Sequence, residues 1–325
     1  MADDGRLPPR EEQAARLALS LRRKLGEVGC QALEQPGVFE LMLNPDGHLW
    51  VDCHGSGMQR VGTMLSSAAE SFIGTVASML RSTVTRESPI LECELPDDAP
   101  FFGARFEAMI PPVVVQPTFT IRLRASSVFT LAQYVEHGVM TSGQRAAIER
   151  AVSDRKNILV VGGTTSGKTT LTNAILDYMS QVAPHHRIVI LEDTRELQCT
   201  SPNVVALRTS DFVDMQRLLK ATMRLRPDRI VVGEVRDSAA LALLKAWNTG
   251  HPGGVCTVHS NDARAGLVRV EQLIAEVSLN PMPALIAEAL DVIVSIAHTP
   301  VGRRIREVIA VTGYIDGQYQ TGTLE

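Results

Sequence analysis

The sequence predicts an α/β protein in two parts: a smaller N-terminal α+β domain, then a larger domain built on a parallel sheet with helices on both faces. Three observations carry this. The chain has 325 residues, about two domains by the usual domain size. From about Asn157 onward, short apolar runs alternate with helical patterns, the grammar of a doubly covered parallel sheet. A complete glycine-rich phosphate-loop motif then stands between the first of those strands and the helix that follows it, the context that motif requires.

Composition removes several other classes. A chain 45% hydrophobic and 21% charged is ordinary for a globular protein, which excludes disordered, collagen-like and coiled-coil readings. A formal net charge of −4 argues against wholesale nucleic-acid binding, so direct contact with nucleic acid is not expected. Aromatic residues make up only 4% of the chain, too few to build stacking platforms for single strands. No apolar run reaches the roughly 18 residues of a membrane span, and the acidic, proline-bearing start MADDGRLPPREEQ is unlike a signal peptide. The five cysteines, Cys30, Cys53, Cys93, Cys199 and Cys256, are scattered and form no CxxC. That pattern predicts a reduced, cytoplasmic setting.

The N-terminal part is expected over residues 1–125. Ala14, Leu17, Leu21 and Leu25 fall at helical spacing and predict a helix over about Glu11–Leu25. Arg22, Arg23 and Lys24 close it, where cations suit the helix dipole. The same cluster permits peripheral contact with acidic lipid. Val38–Leu43 and Leu49–Val51 flank Asn44-Pro-Asp-Gly47, a hairpin signal. A helix is expected over about Val61–Arg81, then strands at Ile90–Glu94, Ala104–Ile110 and Thr118–Leu123. Pro111, Pro112 and Pro117 keep the intervening stretch out of a central strand. A linker is expected over 126–140 and the second domain over 141–325, opening with a helix at Thr141–Val152.

Four segments of the second domain carry chemistry. The first is Gly162, Gly163, Thr164, Thr165, Ser166, Gly167, Lys168 and Thr169, with Thr170 next; the first eight match G-x-x-x-x-G-K-[ST] in full. In such a loop the backbone N–H groups and the helix N-terminus bind phosphate oxygens. Lys168 is then expected to reach the β/γ-phosphates of ATP, and the Thr169 hydroxyl to ligate Mg²⁺. Second, Arg229-Ile-Val-Val-Gly-Glu-Val235 reads as a strand beside the phosphate-loop strand. Its acid, Glu234, is placed to orient water against the γ-phosphate. Third, Ile188-Val-Ile-Leu-Glu-Asp-Thr194 ends in paired acids. Glu192 is expected to hold Mg²⁺ through water. Fourth, Gly250-His-Pro-Gly-Gly-Val-Cys-Thr-Val-His259 ends a strand at His259, which is placed to read the γ-phosphate. Cys256 and His259 have no second ligand pair, so zinc is not expected.

These four segments, in this order, resemble the secretion-motor superfamily of ATPases that serve type II and type IV secretion and pili. The chain is most similar to conjugal-transfer ATPases of the TrbB type, relatives of the VirB class. Glu192-Asp-Thr-Arg-Glu-Leu197, Met223-Arg-Leu-Arg-Pro-Asp-Arg-Ile230 and Arg303-Arg-Ile-Arg-Glu-Val-Ile-Ala-Val-Thr-Gly313 carry that part of the likeness. The resemblance implies a RecA-like P-loop ATPase domain after the N-terminal domain, and a homohexameric ring. It also implies a cytoplasmic enzyme docked on inner-membrane secretion-channel proteins. Arginines of the N-terminal domain reach the phosphates in that family. The matching strands give Arg105 and either Arg122 or Arg124. A further family arginine falls on Arg226, with Arg224 as rival. Thr165 stands where many relatives have Gly. The four-cysteine zinc motif frequent in pilus-assembly and type II export relatives is absent from the sequence, which lowers those two readings. The nearest rival is a pilus-retraction or type II export motor; a nucleotide-gated structural ring, a small-molecule phosphotransferase and a DNA-translocating motor are the others.

Overall fold

In the computed structural model, residues 9–53, 55–124, 128–210 and 212–324 are described, with side chains from Arg16 onward. The chain divides into two units, Met1–Ser126 and Ser127–Glu325.

The first unit opens with α1 (Pro9–Glu34), bent at Gly26. The expected helix ended one residue before that bend, and the second segment buries Ala32 and Leu33. Then come β1 (Val38–Leu43), β2 (His48–Cys53), β3 (Gly57–Thr63), α2 (Ser66–Met79), β4 (Ile90–Glu94), β5 (Arg105–Met109) and β6 (Thr118–Arg122). The strands form one sheet in the order β3-β2-β1-β6-β5-β4. The helix expected from Val61 starts later, because Gly57–Thr63 pairs with β2 in register down to His48↔Thr63. The three prolines lie in the loop between β5 and β6. One sheet face is apolar by alternation: Leu41, Leu43, Leu49, Val51, Phe106, Phe119 and Ile121 all turn inward. Phe72 of α2 sits edge-on to Phe106 with ring centroids 5.6 Å apart, and 5.3 Å from Phe119. Half of the chain's eight phenylalanines, these three and Phe101, therefore serve this core. Of the basic cluster on α1, Lys24 donates to Ser71 Oγ at 2.5 Å and Arg22 lies 3.6 Å from Glu34. Two of its three cations thus have partners within the chain.

The second unit contains α3 (Leu131–Glu136), α4 (Ser142–Ser153), β7 (Ile158–Gly162), α5 (Lys168–Val182), β8 (Ile188–Glu192), β9 (Val204–Arg208), α6 (Met215–Thr222), β10 (Arg229–Val232), α7 (Ala239–Asn248), β11 (Val255–His259), α8 (Ala263–Ala275), α9 (Pro283–Ala289), β12 (Val292–Thr299), β13 (Gly302–Ile315) and β14 (Gln318–Thr323). The stretch expected as a linker, 126–140, is folded over much of its length. Thr130 and Gln133 form a capping box that starts α3, and Leu131, Tyr134 and Met140 are buried in the core of this unit. Residues 126 and 127 lie outside the described residues.

The sheet order is β14-β13-β12-β7-β11-β10-β8-β9. From β12 to β9 every neighbour is parallel, and β13 and β14 extend one edge antiparallel. Strands β7, β8 and β10 are buried at every position, as a sheet covered on both faces requires. One correction bears on the site. The Glu234 strand is not the neighbour of the phosphate-loop strand, because β11 lies between them. That register brings His259 opposite Gly162.

The opposite, N-terminal edge of the sheet is tied by two buried polar side chains. Asn157 accepts from the backbone of Gly253 and Gly254 at 2.8 and 3.1 Å. Arg229, 1% exposed, donates to Gly253 O, Val152 O and His186 Nδ1, each at 3.0 Å. Burial, reinforced by nearby Arg155, pushes its pKa down to about 10. Replacing Arg229 by Met would leave Gly253 O buried without its donor and take one donor each from Val152 O and His186 Nδ1. The expected loss is about 3 kcal/mol of stability, read as a lower urea midpoint with unchanged slope.

Candidate active site

The parallel strands deliver their functional residues to one edge. Strand β7 ends at Gly162, the loop Gly163–Gly167 follows, and α5 starts at Lys168. Two glycines are required by geometry. A Cβ on Gly162 would lie 2.4 Å from Ile296 O and 2.5 Å from Ser166 Oγ. Gly167 has φ +100°, and a Cβ there would meet Arg303 Cδ at 3.0 Å. Thr165 also has a positive φ, +58°, which costs an L residue about 1–2 kcal/mol. The position thus adopts the backbone a glycine takes freely, and Thr bears the strain.

Lys168 is 8% exposed. Its Nζ donates to Gly162 O at 2.9 Å and to Gly163 O at 3.0 Å, and lies 3.2 Å from His259 Nδ1. An ammonium only donates, so Nδ1 is the acceptor and the imidazole proton sits on Nε2. That nitrogen lies 2.9 Å from Glu234 Oε1, off the hydrogen-bond direction, since Oε1 is buried without a hydrogen-bond partner. Burial pulls the His259 pKa down, aided by Lys168, Arg236 and Arg269 and opposed by Glu234. The imidazole is therefore neutral at pH 7. Burial likewise lowers the Lys168 pKa, with Glu234 and Glu196 acting the other way.

Three of the expected site residues, Lys168, Glu234 and His259, thus form one contiguous chain. Glu192 and Thr169 are joined differently from expectation. Glu192, 4% exposed, accepts from the backbone N–H groups of Glu196 and Leu197 at 2.9 and 2.8 Å. It shapes the loop that presents Glu196, and Glu196 Oε2 is the carboxylate that meets the Thr169 hydroxyl, at 3.1 Å. Arg236 is a second residue to which the sequence reading gave no role. Its Nε and Nη2 both lie 2.5 Å from Glu234 Oε2. Glu196 sits inside the segment Glu192–Leu197 already singled out, whereas Arg236 is the residue just after the Arg229–Val235 segment, so only the first lies within a motif singled out from the sequence. Beside the loop, a cleft of about 570 Å³ is lined by Gly163, Thr164, His259, Asn261 and Arg269 among others.

The arginines divide. Arg226 and Arg224 are exposed in the loop before β10, at the edge of the sheet opposite the phosphate loop. The intervening strand spans roughly 13 Å at the usual rise, so neither reaches the phosphate loop of its own chain. The Gly250-His-Pro segment lies at that same edge, where His251 Nδ1 is 3.0 Å from Pro227 O. In the first unit, Arg105 and Arg122 stand directly opposite each other on β5 and β6. Like charges so placed repel. Glu92 balances Arg105 at 2.5 Å, and Glu40 stands opposite Arg122 on β1. Arg124 lies beyond the strand and is held by Glu94 at 3.4 Å and Asp97 at 3.3 Å.

With its parallel strands ending on a phosphate loop, the second unit is a RecA-like P-loop ATPase domain. Residues 49–300 match the family described as type II/IV secretion system protein. The chain belongs to that family, among its conjugal-transfer and type IV secretion ATPases. It is 56% identical over 305 residues to a probable conjugal transfer protein TrbB of Sinorhizobium fredii, covering 94% of this chain and 93% of that one. Identity to a conjugal transfer protein TrbB of Rhizobium radiobacter is 54%, covering 94% of each. In fold it is similar to the crystal structure of the pilus retraction motor PilT with bound ADP, with a TM-score of 0.63 at 17% identity, covering 91% of this chain and 81% of that one.

Proposed function

We propose that the chain is an Mg-ATP-hydrolysing traffic ATPase that works as a homohexameric ring in the cytoplasm. The ring docks on inner-membrane channel proteins and powers pilus biogenesis and substrate transfer in a conjugal type IV secretion system. The observation that carries the catalytic part is the unbroken contact from Lys168 through His259 to Glu234 at the edge where the phosphate loop opens.

The residues suit the ligands. Buried Ser166 Oγ and Glu234 Oε1 have no hydrogen-bond partner, and both lie at this edge, as expected where a ligand supplies the missing bonds. The donors around Thr169 are a hydroxyl and carboxylates, oxygen ligands that a hard cation such as Mg²⁺ prefers. Thr169 would hold the metal directly, with Glu196 beside it and Glu192 acting at one remove through the loop it shapes. When bound, Mg²⁺ supplies positive charge against the β- and γ-phosphates. Loop amides and Lys168 bind phosphate oxygens, and Lys168 exchanges the Gly162 and Gly163 carbonyls for them. Glu234 accepts a hydrogen bond from the attacking water and orients it. His259, neutral and fixed in one tautomer, reports the position of Lys168 to Glu234.

Of the N-terminal arginines, Arg105 and Arg122 are the better pair to meet the γ-phosphate, because an anion between them relieves their mutual repulsion. Arg124 already has two carboxylates. Arg226 would serve the site of a neighbouring copy. Arg122→Gln is therefore expected to lower kcat by at least about 10-fold, and Arg124→Gln to change it little. Equal effects would sink that assignment. The ring is tested by light scattering on a sizing column with and without Mg-ATP. A species near six times the 35.3 kDa chain mass is expected; a strict monomer with nucleotide bound would refute it.

A further inference from the structure

Arg236 has no part in the reading above, and its geometry gives it one. Its Nε donates to one oxygen of Glu234, Oε2, at 2.5 Å, and its Nη2 lies 2.5 Å from the same oxygen as an ion pair. An arginine seated fork-to-fork would occupy both carboxylate oxygens. Here the other oxygen, Oε1, is left buried and unbonded. The backbone around Glu234 is already fixed: Gly233 N–H donates to Leu191 O at 2.8 Å and Val235 N–H to Thr257 O at 3.0 Å, while Thr257 Oγ1 donates to Gly233 O at 2.7 Å. What remains free is rotation of the carboxylate, and Arg236 removes it. Its side chain is 54% exposed, so it does not buttress a core. Asp193 and Glu196, with Glu234 itself, favour its charged form.

We infer that Arg236 is a positioning residue for hydrolysis: it clamps Oε2 of Glu234 so that Oε1 is presented to the attacking water. The inference rests on the reading of Glu234 as the water-orienting acid, and the test separates the two. Single-turnover hydrolysis of radiolabelled ATP and binding of a fluorescent ADP analogue are measured on the full chain for Arg236→Gln, Arg236→Lys, Glu234→Gln and the double variant Glu234→Gln/Arg236→Gln. Arg236→Gln should lower the rate at least about 10-fold with KM and nucleotide affinity within about twofold. Arg236→Lys should recover part of the rate, since it restores a cation but not the two-nitrogen grip. The double variant should be no slower than Glu234→Gln alone, because a residue that acts through Glu234 has nothing left to position. Losses that multiply in the double variant, an unchanged rate in Arg236→Gln, or a tenfold loss of nucleotide affinity would each overturn the role of Arg236 while leaving Glu234 in place. An unchanged rate in Glu234→Gln would instead remove the reading on which the inference stands.

Discussion

Lys168→Ala should reduce ATP hydrolysis by about 10²–10³-fold and weaken nucleotide binding by about 10- to 100-fold, the worth of a charge-assisted hydrogen bond of ~1.5–3 kcal/mol. Two losses combine. The phosphates lose their one buried loop cation, and in the nucleotide-free chain Gly162 O, Gly163 O and His259 Nδ1 lose a shared donor. The fold should survive, because removing the ammonium also removes the cost of burying it. The expected signature is an unchanged thermal midpoint without nucleotide, and a loss of the upward shift that Mg-ADP gives the parent protein. Lys168→Arg should also fail, since a planar guanidinium does not reproduce three bonds radiating from one nitrogen. Retained hydrolysis in Lys168→Ala at saturating Mg-ATP would move the reaction away from this loop.

How far the site could be read from the sequence depends on how local each part is. The phosphate loop is a continuous segment, and its strand, glycines, lysine and helix follow each other in the chain, so its placement needed no tertiary information. Glu234 and Arg236 are two residues apart, but Thr169 and Glu196 are 27 apart, and which carboxylate meets the Thr169 hydroxyl depends on how the loop after β8 closes. Glu192 stands out in the sequence because it ends a strand; what the sequence does not show is that it also accepts from the backbone N–H groups of Glu196 and Leu197. The strand order was not legible at all. Nothing in Ile230–Val232 or Val255–Val258 says which of these equally apolar runs neighbours β7, and with β11 between, His259 becomes the bridge between Lys168 and Glu234. That Arg226 stands away from the phosphate loop of its own chain was hidden for the same reason, since a residue N-terminal to a strand lies a full strand length from the edge where the ligands gather. The helix at Leu131–Glu136 is a different case. Thr130 and Gln133 form a capping box, as Thr141 and Gln144 do for α4, and that spacing was readable in the sequence.

Glu234→Gln should lower kcat by about 10²–10⁴-fold, the usual worth of a positioned general base, while nucleotide binding stays within a few-fold of the parent. The substitution is close in volume, so packing is not the cause. The main cause is the missing carboxylate, which no longer accepts from the attacking water and orients it; a second conflict arises along the chain of contacts. Carboxylate oxygen Oε1 lies 2.9 Å from His259 Nε2, out of hydrogen-bond line, and Oε2 accepts from Arg236. A glutamine can keep its carbonyl on Arg236 only by turning its NH₂ toward that Nε2–H, donor against donor. Turned the other way, it gives up the arginine. The imidazole can relieve the first clash by moving its proton to Nδ1, but Nδ1 then confronts the Lys168 ammonium, which has no lone pair to offer. Each arrangement gives up one contact, to Arg236 or along the line from residue 234 to Lys168, and none restores the carboxylate, so the variant should bind Mg-ATP and stall before bond cleavage. The measurement is a single-turnover experiment with radiolabelled ATP beside equilibrium binding of a fluorescent ADP analogue. Changing His259 to Asn in the Glu234→Gln background removes the conflicting imidazole and should restore binding to parent level where it was reduced, without restoring cleavage. If cleavage returned instead, the imidazole clash and not the missing carboxylate would have been the block, and Glu234 would lose its place as the residue that orients the water.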